Sequence, residues 1–218
     1  MKVDKRTMPL QQFAKEQAFS TVSNICVYCG SATGGDSIYV TAAQKLGKAL
    51  AESSIGLVYG GGSHGLMGAL AKSVLAHGGR VTGIIPAFLM SRERPLSELQ
   101  ELIIVNDMHE RKRLMHERAD AFIALPGGIG TLEELCEQLT WVQLDRHTKP
   151  VVIANIGGFW HPLLQLLAHM REQRFIQQPF EVRYLVAEKV EDILPIIQAA
   201  TAKATLFGTH KETLDPRL

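Results

Sequence analysis

Short apolar runs that alternate with amphipathic segments along most of the chain leave few folds open to it. The runs fall at Ile25 to Cys29, Ile55 to Tyr59, Arg80 to Ile85, Leu102 to Val105, Ala121 to Leu125, Val151 to Ala154 and Tyr184 to Val186. They are too short for buried helices and too uniformly apolar for strands with one wet face, so they predict strands of a parallel sheet covered on both sides. Between them the period changes to that of a helix: Tyr39, Ala42, Ala43, Leu46 and Leu50 mark one stripe, and Leu66, Leu70, Val74 and Leu75 another. Met108 to Arg118, Leu132 to Leu144, Pro162 to Arg171 and Val190 to Ala199 predict four more helices, each bounded by glycine, proline or polar residues. Strand and helix in alternation predict an α/β fold, a doubly wound, mainly parallel sheet with helices on both faces. With 218 residues, one domain over residues 25–200 is expected, preceded by a peripheral helical segment at 1–24 and followed by a tail at 201–218.

Charge narrows the partners. The 23 basic and 22 acidic residues are mixed along the chain and leave a net charge of +1, so neither nucleic acid nor an anionic membrane has a surface to bind. A small molecule is the expected partner. No long apolar stretch follows the basic N-terminus, and the three cysteines have no framework spacing, so a cytoplasmic chain is expected. Cys26 and Cys29 have redox spacing but fall within one predicted strand, pointing to opposite faces, which makes them structural thiols. His109-Glu110 and His116-Glu117 lack the second histidine of a zinc protease, because Arg113 and Asp120 stand four residues on. No metal and no cofactor are expected.

Ligands of parallel sheets bind at the carboxyl ends of the strands. Three glycine turns compete for that edge: Gly30 to Gly35, Gly60 to Gly65, and Gly127 to Gly130. The second has dinucleotide spacing, but the following strand ends in Gly83-Ile84-Ile85-Pro86 with no acid for the ribose hydroxyls; helix packing or a supporting anion contact is expected there instead. The third reads Pro126-Gly127-Gly128-Ile129-Gly130-Thr131-Leu132-Glu133-Glu134. Its glycines clear the way for an anion to reach main-chain N–H groups at the positive end of a helix. Phosphate suits such a nest, and two carboxylates immediately after it suggest chemistry nearby. Thr131 and Glu134 also fit a capping box, which would give Glu134 a purely structural role. Its position outside the Leu132, Leu135, Leu139 and Val142 stripe points instead to a cleft, a partner chain or water. On the preceding helix Arg111 and Arg118 share an arc with Met108, Leu114 and Met115. A guanidinium in such a stripe needs an anionic partner or a wet cleft, unless it snorkels to the surface.

Met108-His109-Glu110-Arg111-Lys112 followed by the Pro126 to Glu134 segment resembles the paired signature of the Lonely guy family of phosphoribohydrolases. Cys29-Gly30-Ser31, Tyr59-Gly60-Gly61-Gly62-Ser63, Gly65-Leu66-Met67-Gly68, Gly83-Ile84-Ile85-Pro86 and Lys149-Pro150-Val151 occur in the family's order. The resemblance implies a modified Rossmann-like fold, a homodimer, and hydrolysis of the N-glycosidic bond of adenine-type nucleoside 5'-monophosphates to free base and ribose 5-phosphate. It implies that Arg111 and Glu134 are the catalytic pair. It further implies substrate contacts from Lys112, the loop Gly127-Gly128-Ile129-Gly130-Thr131, Glu133 and Thr140, with Met108 lining the pocket and Glu93 as an upstream acidic contact. Arg94-Pro95-Leu96 departs from the family's small, glycine-containing stretch beside Glu93. Relatives have often carried a lysine decarboxylase label, yet nothing here resembles a pyridoxal phosphate lysine site. A non-catalytic carrier of a nucleotide or phosphate-bearing cofactor is the alternative function.

Overall fold

The computed structural model describes residues 22–178 and 180–207. Seven strands form one parallel sheet: β1 (Asn24–Tyr28), β2 (Gly56–Tyr59), β3 (Val81–Pro86), β4 (Glu101–Val105), β5 (Ala121–Ala124), β6 (Val151–Ala154) and β7 (Leu185–Ala187), in the order β4-β3-β2-β1-β5-β6-β7. The helices are α1 (Ser37–Glu52), α2 (Gly65–Ala76), α3 (Met90–Glu93), α4 (Met108–Glu117), α5 (Ile129–Gln143), α6 (His161–Glu172) and α7 (Val190–Phe207). The expected α/β class and the seven strands are present, with bounds displaced by one residue or so. The peripheral segment expected at the N-terminus lies almost wholly outside the described residues.

The chain winds outward from β1 to β4, then returns to set β5 against the other side of β1. That reversal opens a crevice at the carboxyl ends of β1 and β5, the place where open α/β sheets take their ligands. The two loops touch there, since Gly30 N donates to Pro126 O at 3.1 Å.

Side-chain alternation along β1 divides the core. Ile25, Val27 and Cys29 join α1, α2 and α7 on one face, whereas Cys26 and Tyr28 join Met115 of α4, Leu135, Leu139 and Val142 of α5, and Leu167 of α6 on the other. The two thiols therefore face opposite layers as expected, and both are buried and free. No helix among the described residues is long and apolar enough to cross a membrane.

Three elements differ from the sequence expectations. Helix α5 begins at Ile129 with Gly128 as its N-cap, not at Leu132 with Thr131 as cap. Thr131 is buried inside the first turn, so the capping box with Glu134 does not form. The reason lies at Gly127, where an added Cβ would run into Thr131 and approach Gly30 N at 2.9 Å; this close approach lets the chain turn into helix immediately. Helix α3 had no periodic signal, being four residues long. It is held by Ser63, whose N–H and hydroxyl both donate to Glu93 O, at 3.1 and 3.2 Å. Helix α7 continues through Phe207, well past its expected end at Ala199.

Candidate active site

Helix N-termini at the ligand-binding edge differ in what their leading N–H groups meet, and this bears on which of them could hold an anion. Asp36 caps α1 through Ile38 N at 2.9 Å, and Asp107 caps α4 through Glu110 N at 2.8 Å. At α2 the N–H of Leu66 and Met67 are turned to Gly30 O and Ala32 O, so the Gly60 to Gly65 turn packs a helix against the first loop. Helix α5 has no side-chain cap. Around its start, a Cβ at Gly128 or Gly130 would meet nothing within 4 Å. An anion fits there because the first N–H groups of a helix lack intrahelical acceptors and carry the positive end of the dipole. Replacing Gly130 with Ala should raise stability by ~0.5–1 kcal/mol through helix propensity while weakening a phosphate ligand about tenfold by obstructing its approach; thermal melts and AMP titration measure the two opposed effects.

Arg111 and Glu134 come together below this edge. The Arg111 guanidinium is buried and seated on carbonyls, donating from Nε to Ile84 O at 3.1 Å and from Nη2 to Gly60 O at 2.9 Å, with Nη1 3.8 Å from Met108 Sδ and 3.9 Å from Glu134 Oε1. A side chain at residue 60 would occupy the place of Nη2, so the first glycine of the dinucleotide-like turn is where the Arg111 guanidinium docks. Arg118 behaves otherwise: it snorkels outward to an exposed pair with Glu101 at 2.7 Å.

Glu134 is buried, not turned to open water. Burial lifts its carboxyl to about 7; Arg111 and Lys112 pull it down, while Glu133 and Glu93 add to the rise. A carboxylate so placed titrates in the range where it can accept or give up a proton at neutral pH.

The remaining expected residues divide. Lys112, almost fully buried, pairs with Glu133 and, at 3.1 Å, with Glu137. Its ammonium is raised: burial alone would lower it, but the bonds to Glu133 and Glu137 outweigh that. Glu93 reaches the site despite Arg94, which takes φ 37° to end α3. Its Oε2 is buried with no hydrogen-bond partner among the described residues, beside a cleft of about 510 Å³ lined by Ser31, Gly62, His64, Met67, Leu89 and Arg92. A second cleft of about 560 Å³ lies between the first loop, Tyr39, Phe159 and Gly128. Ile129 projects outward, 81% exposed. Thr140 does not join the others; it is exposed, and its hydroxyl donates to Cys136 O at 2.8 Å. Glu137 and the fully buried Gln138 were missed. Their signal was present, since they follow Glu133 and Glu134 by one helical turn. Among the described residues no group of three or more His, Cys, Asp or Glu is placed to hold a metal ion.

A family model described as possible lysine decarboxylase matches residues 67–197. A cytokinin riboside 5'-monophosphate phosphoribohydrolase of Arabidopsis thaliana, LOG7, is 48% identical over 79% of this chain and 79% of its own. The chain belongs to the Lonely guy family. A bacterial Lonely guy relative, the cytokinin riboside 5'-monophosphate phosphoribohydrolase of Rhodococcoides fascians, is 42% identical over 84% of this chain and 93% of its own. Solved structures extend the likeness of fold beyond the Lonely guy proteins. The molybdenum cofactor carrier protein of Chlamydomonas reinhardtii superposes with a TM-score of 0.63 at 19% identity, over 83% of this chain and 98% of that one. The molybdenum cofactor binding protein of Rippkaea orientalis gives 0.61 at 19% identity, over 82% and 97%. The modified Rossmann-like fold is thus shared with carriers.

Proposed function

We propose that this protein hydrolyses the N-glycosidic bond of adenine-type nucleoside 5'-monophosphates, AMP or its N6-substituted cytokinin forms, releasing the base and ribose 5-phosphate. The observation that carries this is a buried Glu134 carboxylate, 3.9 Å from Arg111, on the same helix whose uncapped N-terminus faces the crevice. Glu134 stands five positions after Ile129, a rise of ~7.5 Å, and side chains lean back toward a helix N-terminus. A phosphate on Gly128, Gly130 and Thr131 thereby sets its sugar against Glu134. Cleavage develops positive charge on the sugar, which a carboxylate stabilises or meets by activating the attacking water. Arg111 keeps Glu134 ionised and aimed. Lys112 and Glu133 adjoin the same helix start as substrate contacts, with Gly127 and Ile129 completing the loop, Met108 lining the pocket and Glu93 presenting a carboxylate to the sugar or base.

A homodimer belongs to the same proposal. Leu144, 60% exposed, follows Thr140 by one turn, and Phe180, 57% exposed, is held close to the same helix end by the Gln143 Nε2 bond to its carbonyl at 3.0 Å, which puts apolar surface on this face. A second copy across this face would be needed to bring Thr140 to substrate; light scattering on the purified chain measures the state. The compartment proposed is the cytoplasm.

Incubation with AMP and with its N6-isopentenyl derivative, followed by chromatography, tests the activity: free base is expected, and retention of ligand with no base released would favour the carrier. Because ionised Glu134 is the working form, kcat/KM should rise with pH through an acid limb near 7. A profile flat from pH 5.5 to 8 would remove Glu134 from that role.

A further inference from the structure

Two tethers join α4 to α5 on either side of the Arg111–Glu134 pair. The outer one is ionic, Lys112 between Glu133 and Glu137. The inner one is neutral: His116 Nδ1 and Gln138 Oε1 lie 3.0 Å apart. Gln138 stands one turn after Glu134 on α5, and His116 one turn after Lys112 on α4, so the bond joins the two helices one turn further along than the Lys112 tether and the Arg111–Glu134 pair.

Gln138 is poorly chosen if stability is its purpose. It is fully buried, and its Nε2 has no hydrogen-bond partner among the described residues. An unsatisfied buried amide group is unfavourable, and a leucine of similar bulk would avoid that. The surroundings of His116 reinforce its neutrality. Phe122 stacks on it with centroids 5.5 Å apart, Trp141 meets its edge at 4.8 Å and His147 lies at 4.8 Å, while the Lys149 ammonium donates to the His116 carbonyl at 2.7 Å. Burial lowers the His116 imidazole, helped by Lys149, against the bond to Gln138 and the charges of Glu117 and Glu137. The inner tether thus spaces the helices without adding a charge near Glu134.

We propose that Gln138 and His116 are positioning residues, a neutral inter-helix strut that holds the carboxylate of Glu134 within reach of the Arg111 guanidinium. Its catalytic consequence rests on the function proposed above; its structural content does not. Without the strut α5 relaxes away from α4, and Glu134 loses part of the one strong attraction that keeps it ionised. The other groups facing Glu134 are Glu133 on its own helix, Glu93, the Cys26, Cys29 and Tyr28 side chains at β1, and Lys112; Lys112 lies on α4 with Arg111, so separating the helices weakens both attractions together.

Three variants decide it. Gln138→Leu should fold with an unchanged or raised Tm, lose about tenfold in kcat with AMP while KM changes less than twofold, and shift the Glu134 titration to higher pH. His116→Phe should behave likewise. His116→Asn, which places an amide donor where Nδ1 stood, should recover most of the loss. The titration is followed by carbon-13 NMR of labelled glutamate carboxyls, with Glu134 assigned by substitution, so it reads the strut even if the wild-type protein releases no base from AMP. That last result would fault the proposed function alone. Variants that fold and keep the wild-type Glu134 titration would overturn the strut, as would His116→Asn behaving like His116→Phe. Failure of Gln138→Leu to fold leaves the two His116 variants to decide the matter by the same titration.

Discussion

Glutamine at residue 134 is expected to lower AMP turnover by about 10²–10⁴-fold, the range for loss of a positioned acid or base, with AMP affinity kept within a few fold. Glutamine has the shape of the carboxylate but cannot carry the negative charge that meets a developing cation. Folding should survive. A carboxyl raised from its ordinary value to about 7 binds protons more tightly in the folded chain than in the unfolded one, so its contribution to stability falls as pH rises from about 4.5 to 7 and remains unfavourable above that. Glu134→Gln should therefore melt no lower than wild type at pH 8. Arg111 keeps its bonds to Ile84 O and Gly60 O and is not left without partners. Near wild-type turnover in this variant would remove the carboxylate from the chemistry; lost folding would give it a structural role.

Adenosine should be a substrate worse than AMP by about 10³-fold in kcat/KM. That factor is ~4 kcal/mol, the worth of two or three charge-assisted hydrogen bonds to the anion. The loss should appear in kcat as well as KM, because a phosphate held on main-chain N–H groups is remote from the bond that breaks and its binding serves to position the sugar. Kinetics with adenosine, AMP and ribose-modified analogues measure the split. Equal kcat/KM for adenosine and AMP would remove the phosphate cradle from the account.

Strand and helix order were legible because burial on both faces leaves a continuous apolar run, a signal that survives without any knowledge of partners. The glycine turn at residues 127–130, with a helix starting at Ile129, was legible as a strand-to-helix turn at the carboxyl edge for an equally local reason. Its division of labour was not. Gly127 is required by the approach of Thr131 and the first loop, whereas a Cβ at Gly128 or Gly130 would meet nothing within 4 Å, and such long-range differences leave no local trace. Arg111 could be singled out from its apolar arc, but Arg118 on the same arc could not be told apart from it; only the carbonyls of Gly60 and Ile84, brought in by two other strands, separate them. Glu134 was expected outside the buried stripe. It is buried because α5 packs against α4 along a polar seam of Lys112, Glu137, His116 and Gln138, and a seam of polar residues reads in sequence as a wet face. Thr140, seven residues after Glu133 on the same helix, remains exposed.

A structure of the Glu134→Gln variant with AMP tests the central claim most directly. The account places the phosphate oxygens within hydrogen-bonding distance of the main-chain N–H groups from Gly128 to Thr131, and the anomeric carbon against the side chain of residue 134 with Arg111 beside it. Phosphate elsewhere, for example in the cleft between Tyr39 and Phe159 with the sugar turned away from residue 134, would contradict it.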